Sequence, residues 1–287
     1  MPNTQPIVMT SYDEIISKLD LIIEKFKTDT VVVIRDANLS TDEQAALTRA
    51  LGDKIGWFPN NSDTFEQRYQ ENHQRLKRKE DAGKDEVVLP WHLEHVDYDV
   101  YVPIVAGVWN MFKFTADEEA GKTYFTDTSL IYRQMPSEWQ DFLDKSLIRW
   151  EEGDGSVHTT YAVLDHWLTG ERTIRIDTRG NATPEMLYEF DGRTPTPEEA
   201  QLYVKIRNYY MDQIVNNPDV RLVHRWKQGD LVIPDLFKHA HAATGGFSSD
   251  QREFVGLWVY PANPESNEYL DYVNTYISER ADGKWQE

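Results

Sequence analysis

The sequence predicts a mainly β protein with flanking helices, an antiparallel barrel or sandwich wrapped by helical segments. Three observations carry this. A helix–strand–helix pattern opens the chain, a body of β-branched and alternating runs follows, and one long helical pattern interrupts that body. This order lacks the steady βαβ alternation that builds a parallel sheet. At 287 residues the chain can fold as one large domain or two small ones, and it carries neither an internal repeat nor a linker. One domain over 1–287 is therefore expected.

The elements follow in order. Residues 11–28, SYDEIISKLDLIIEKFKT, put Ile15, Leu19, Ile22 and Phe26 on one helical stripe. TVVVIRD at 30–36 is a continuous β-branched run and reads as a buried strand. In LSTDEQAALTRALG, Ser40 is the N-cap of a helix, Glu43 completes a capping box, and Gly52 is the C-terminal stop. The stretch 60–87 holds almost no aliphatic residues, so it is a solvated helix or loop, or an active-site lid. Residues 98–115 read as strands, 129–146 as helix, and ERTIRIDT at 171–178 as a strand with charged outward positions. TPEEAQLYVKIRNYYMDQIVNN is a long helix with Pro197 in its first turn and Leu202, Ile206, Tyr209 and Tyr210 on one side. Two further strands, VRLVHRWKQGDLVIP and REFVGLWVYPA, precede a short closing helix.

A formal charge of −19 lacks the basic surface that nucleic-acid phosphates require and opposes docking on anionic membrane. No apolar run reaches the roughly 18 residues that span a bilayer. MPNTQPIVMTSYDEII has no signal-peptide pattern, so a cytoplasmic location is expected. The absence of Cys excludes disulfides, thiolate nucleophiles, Cys-held zinc and iron–sulfur clusters. Any metal must be held by His and carboxylate. The expected partner is a small-molecule substrate, with homo-oligomerisation left open.

LPWHLEHVDYDVYVP at 89–103 concentrates the chemistry. Side chains two apart in a strand share a face, so His92 and Glu94 point together and His95 points away. The zinc-protease pattern needs its two His at helical spacing, which a strand does not provide. A third ligand must come from elsewhere, and GDLVIPDLFKHAHAATGG at 229–246 offers His239 and His241 after Asp235. One imidazole from there, with His92 and Glu94, makes a two-histidine, one-carboxylate triad, which leaves open positions on Fe(II) for a bidentate oxoacid and O2. Gly121 to Asp127 form a small-residue turn into a strand, and Arg252, eleven residues after His241, can clamp a carboxylate. Two other readings stay open here. One is a cupin-like zinc or manganese hydrolase using His92, His239 and His241 with Glu94 as base. The other is a binding barrel without chemistry. Candidate substrate residues are His95, Tyr98, Tyr101, Asn110 and His239, and Arg133, Arg149, Arg172, Arg175 and Arg179 are cations available to a carboxylated substrate.

From residue 30 to 261 the chain resembles the TauD/TfdA family of Fe(II)- and 2-oxoglutarate-dependent dioxygenases. TVVVIRDANLSTDEQAALTRALG resembles the family's opening, and WHLEHVDY its W-H-x-D segment. AGKTYFTDTSLIYRQMPSEWQDFL resembles its G-G-D-T-x-F-x-D stretch, QGDLVIPDLFKHAHAAT its G-D-hydrophobic-W-D-N-x-x-x-x-H segment, and QREF its arginine strand. The resemblance implies a double-stranded β-helix (jelly-roll) core and Fe(II) held by His92, Glu94 and His241. It implies 2-oxoglutarate held by Arg252 with Thr123, and O2 as co-substrate. The implied reaction is decarboxylation of 2-oxoglutarate to succinate and CO2, coupled to hydrogen abstraction from a C–H bond of a small polar metabolite, an amino-acid or carboxylate derivative. Hydroxylation, desaturation and oxidative cyclisation are the possible outcomes. Glu94 stands where the family usually has Asp, as in clavaminate-synthase-like relatives. The Asn and Arg that follow the family's Asp are missing after Asp235. Sulfonate-binding members carry a second arginine four residues after the first, where this chain has Gly256, which argues against taurine as substrate.

Overall fold

The structure, a computed structural model, describes residues 5–29, 31–56, 82–94, 106–151, 155, 157–176 and 185–260. The chain is mainly β with a few helices, and strands and helices are numbered separately in chain order. One sheet has the order β1 (Ile7–Val8), β2 (Val31–Arg35), β12 (Leu231–Pro234), β4 (Ala106–Phe114) and β14 (Arg252–Val259), antiparallel except for β1 on β2. A second, antiparallel sheet has the order β11 (Arg221–His224), β5 (Thr123–Asp127), β13 (His239–Thr244) and β3 (Val87–His92). Two smaller sheets comprise β10 (Met186–Phe190), β6 (Ser146–Glu151) and β7 (Val157–Tyr161), and the pair β8 (Val163–Asp165) and β9 (Arg172–Ile174). The helices are α1 (Tyr12–Ser17), α2 (Leu19–Asp29), α3 (Thr41–Ile55), α4 (Thr128–Gln134), α5 (Ser137–Asp144) and α6 (Pro197–Asn216).

Three apolar layers explain the strand sequences. Ile15, Leu19, Ile22 and Phe26 from α1 and α2, with Leu47 and Leu51 from α3, cover Val32, Ile34, Val108 and Ile233 on the outer face of the first sheet. Val31, Val33, Trp109, Met111 and Val232 on its inner face meet Phe125, Trp226 and Leu236 between the sheets. Strand β2 is thus buried on both faces, which accounts for its unbroken β-branched run. On the far side of the second sheet, Trp91, Leu93, Ala240 and Ala242 pack with Ile131, Phe142, Ile148, Tyr203, Ile206 and Tyr210. With Ala240 and Ala242 outward, the period of two turns His239 and His241 into the space between the sheets. The same alternation on β3 turns His92 inward between Trp91 and Leu93.

Several expected boundaries shift. The Ser40–Glu43 capping box is present, but α3 runs through Gly52 and ends at Gly56. Burial of Leu47, Leu51 and Ile55 outweighs the roughly 1 kcal/mol that a mid-helix glycine costs. The helical stretch 129–146 divides at Met135–Pro136 into α4 and α5, because Pro136 lacks the N–H that would continue the first. The buried stripe of α6 is Tyr203, Ile206, Tyr210 and Ile214, with Leu202 and Tyr209 only partly covered beside it. Strand β9 is shorter than expected, and the expected closing helix, residues 98–105 and most of the 60–87 stretch lie outside the described residues. Among the described residues no helix is long and apolar enough to cross a membrane.

Candidate active site

Strand pairing brings the first two candidate ligands together. His241 on β13 is the cross-strand partner of His92 on β3, and their rings lie 4.1 Å apart. Strand β3 ends at His92, so Glu94 reaches the site from a turn and not from the strand that the two-residue spacing suggested. Its Oε1 still lies 3.5 Å from Nε2 of each histidine. One ligand atom from each of the three falls within 4.8 Å of the others, the one such His and carboxylate trio among the described residues. His92 Nδ1 sits 2.8 Å from the Pro90 carbonyl, which only a protonated nitrogen can satisfy, so the ring is oriented with Nε2 toward the site. Burial works to raise the Glu94 carboxyl, but hydrogen bonds with His241 and His92 outweigh it and hold the group well below the usual carboxylate range. Burial, with the His92 charge beside it, pulls His241 down to about 4, leaving a neutral imidazole at neutral pH. Two imidazole nitrogens and one carboxylate are a donor set for a divalent cation.

His239 shares the inward face of β13, but its Nδ1 faces the Asp235 carbonyl at 2.8 Å and its ring meets the edge of Phe125. It stands outside the trio, so the three-histidine hydrolase arrangement is not assembled. Asn110 lies on the opposite face of β4 from Trp109 and donates to the Leu39 carbonyl at 3.0 Å, away from the site. His95, Tyr98 and Tyr101 fall outside the described residues.

A second feature opens off the same inter-sheet space. Arg252, the first residue of β14, is buried, and its guanidinium lies over Phe247 at 4.9 Å, Phe254 at 5.1 Å and Trp226 at 5.9 Å. Its Nε finds no hydrogen-bond partner among the described residues. Burial lowers its pKa to about 10, so it stays charged at neutral pH. A buried cation with an open donor calls for an anion. Thr123 on β5 stands beside it through Trp226, whose Nε1–H donates to Thr123 Oγ1 at 2.9 Å. An indole N–H can only donate, so the threonine hydroxyl keeps its own proton to give. Sequence reasoning passed over Trp226, although a lone tryptophan in the polar run HRWKQGD was a signal for it.

Trp109 lies between the trio and the aromatic rings around Arg252, 5.2 Å from His241 and 5.9 Å from Phe254, measured between ring centroids. Its indole lies on two glycines. A Cβ on Gly107 would meet its Nε1 at 2.5 Å, and one on Gly256, its cross-strand partner, would meet Cδ1 at 2.9 Å. The space at position 256 is therefore filled by the indole. Asp235 fixes the turn before β13: Oδ1 accepts from Phe237 N at 3.0 Å and Lys238 N at 3.2 Å, and Oδ2 lies 2.9 Å from His166 Nε2. The other candidate cations have protein partners. Arg133 pairs with Glu171, Arg172 with Asp144 and Asp165, Arg149 lies over Tyr188, and Arg175 faces backbone carbonyls. Arg179 lies outside the described residues.

A family model described as "Taurine catabolism dioxygenase TauD, TfdA family" matches residues 8–258. The chain belongs to this family. It is an Fe(II)- and 2-oxoglutarate-dependent dioxygenase, an oxidoreductase that uses O2. Among solved structures, a protein assigned as an alpha-ketoglutarate-dependent taurine dioxygenase from Burkholderia xenovorans is similar, with a TM-score of 0.63 and 16% identity over 93% of this chain and 91% of the other. A taurine dioxygenase from the same organism has a TM-score of 0.60 and 16% identity over 88% and 84% of the two chains. AAD-2, in complex with Mn(II) and N-oxalylglycine, has a TM-score of 0.61 and 14% identity over 92% and 98%. At these identities the likeness is one of fold. No curated protein matches by sequence.

Proposed function

We propose that the two facing sheets are the halves of a double-stranded β-helix that holds Fe(II) on His92, Glu94 and His241 and the far carboxylate of 2-oxoglutarate on Arg252 and Thr123. The observation that carries this reading is Arg252, a caged guanidinium whose Nε has no partner among the described residues, one aromatic wall away from the trio. The donor set fits a divalent iron, and the orphaned Nε fits a carboxylate. When bound, the metal supplies O2 activation driven by decarboxylation of the oxoacid.

The protein's own groups supply the placement. His92 and His241 give ring nitrogens, Glu94 gives a carboxylate, and Arg252 gives a planar fork that matches a carboxylate in two bonds. Trp109 and Phe254 keep bulk water from the space between the two sites. The prime substrate is a small polar metabolite, an amino-acid or carboxylate derivative, from which a C–H hydrogen is removed. Hydroxylation, desaturation and cyclisation remain its three outcomes, since they differ only in substrate placement. Gly256, with the Trp109 indole packed against it, supports a substrate other than a sulfonate, because it leaves no room for a second guanidinium.

The test is anaerobic visible absorption of the apoprotein with Fe(II), then with 2-oxoglutarate. A weak band that requires both additions, and is lost in His92→Ala and His241→Ala, is the expected result. Well-folded, iron-loaded protein without that band would overturn the reading.

A further inference from the structure

Glu94 lies beyond the last ladder pair of β3 with β13, so the sheet does not set its backbone. We propose that Arg175 is a positioning residue that fixes this backbone, and through it the Glu94 carboxylate; the inference rests on the trio being the metal site. Arg175 directly follows β9 and is only 1% exposed. One nitrogen of its guanidinium donates to the Glu94 carbonyl at 3.2 Å, and the other donates to the Phe237 carbonyl. The group also lies over the Phe237 ring at 5.1 Å.

The two carbonyls belong to the two segments that carry the ligands. Glu94 is itself one ligand, and Phe237 sits in the turn that leads into β13 and His241. A guanidinium is planar and rigid, so a single side chain that bonds both carbonyls sets their separation. That turn is gripped a second time from the same region, since His166 between β8 and β9 meets Asp235, which holds the Phe237 N–H. The β8–β9 hairpin therefore braces the ligand set from outside the two main sheets. A glutamate needs this more than an aspartate would. Its extra methylene adds a rotatable bond, so a small shift of an unsupported backbone moves the carboxylate far. Arg175 places two of its donors on these carbonyls, which assigns it to the ligand frame.

The experiment is an anaerobic Co(II) titration of the full chain, read by the cobalt absorption spectrum, on wild type, Arg175→Lys, Glu94→Ala and the double variant. Lysine keeps the charge but lacks the planar fork that fixes the separation of the two carbonyls. Arg175→Lys should weaken Co(II) binding about 10-fold or more and alter the spectrum, the usual effect of losing a group that orients a ligand. On the Glu94→Ala background the same change should cost clearly less, because only its hold on the Phe237 turn is left to lose. Equal losses on both backgrounds, or none in the single variant, would overturn the proposal. Arg175→Gln replaces Lys if that variant is unfolded by circular dichroism. If neither folds, Arg175 belongs to the core and the proposal also fails. Glu94→Ala binding Co(II) as tightly as wild type would instead remove the metal-site reading itself.

Discussion

Replacing Arg252 with methionine separates what stabilises this fold from what it binds. In the apoprotein the guanidinium is buried over three aromatic rings, and burial lowers its pKa from 12.5 to about 10. That drop corresponds to roughly 3 kcal/mol set against the charged form in the folded state. The sign follows directly. A base depressed on folding destabilises the protein at every pH below its folded value, and is relieved only above about 10. Methionine fills much of the same volume without charge, so at neutral pH Arg252→Met should stabilise the apoprotein by about 1–3 kcal/mol, the usual range for replacing buried charge with packed apolar groups. For a chain of this size that is a rise of several degrees in Tm, at about 2–4 °C per kcal/mol. Under the proposed clamp, the same change removes two charge-assisted hydrogen bonds to 2-oxoglutarate, worth about 1.5–3 kcal/mol each, so affinity should fall at least about 100-fold. Scanning calorimetry with Mn(II), with and without 2-oxoglutarate, reads both effects. Wild type should gain about 2.7 kcal/mol at a hundred times Kd, and the variant almost nothing at that concentration. A variant less stable than wild type, or one that kept the ligand-induced rise, would refute the reasoning.

Trp226→Phe keeps the ring beside Arg252 but removes the N–H that holds Thr123, so KM for 2-oxoglutarate should rise about 2- to 10-fold with kcat unchanged. Combining it with Thr123→Ala should add little, since both act on one hydroxyl, and steady-state succinate assays settle the point. Burial works to raise the Asp235 carboxyl, but the His166 charge and hydrogen bond outweigh it and place the group below 3.8. A carboxylate depressed on folding gives stability that is complete above 3.8 and is lost as pH falls through the folded value. Asp235→Asn should therefore cost about 1–3 kcal/mol in urea titrations at neutral pH, and the gap to wild type should narrow below pH 3.8. Gly256→Ala sets a methyl 2.9 Å from the Trp109 indole, so denaturant titration should register a loss of about 1–3 kcal/mol from overpacking.

The sequence disclosed the site wherever local periodicity controls side-chain direction. The alternation of β13 is written in HAHA at 239–242, with Ala240 and Ala242 toward the helices and the histidines toward the opposite sheet. The capping box at Ser40 is equally local. What stayed hidden depends on partners far apart in the chain. Asn110 read as a pocket residue because strand residues alternate, but the pattern does not say which face of β4 meets the helices. Trp226 reaches Thr123 across 103 residues, and Arg175 reaches Glu94 across 81. The extent of β3 was misjudged for the same reason. Aromatic and β-branched residues continue past His92, but the β3–β13 ladder ends at the His92–His241 pair, two residues short of the start of β13.

Charge links the two halves of the site. Without ligands, Glu94 contributes one negative charge and Arg252 one positive, while His241 is neutral at neutral pH. These two charges oppose each other across a space walled by Trp109, Phe125 and Phe254. Adding a divalent cation alone, or a dicarboxylate alone, leaves an unbalanced double charge where water is scarce and charge is costly. Adding both brings charges that offset each other and, under the proposed assignment, gives the Arg252 guanidinium a carboxylate that the described residues do not supply. Metal and 2-oxoglutarate should therefore each raise the other's affinity by the same factor, as linkage requires. Calorimetric titration of 2-oxoglutarate into the protein with and without Mn(II) measures that factor. Equal affinities would mean that the cage and the trio act as independent sites, and that the wall between them is packing alone.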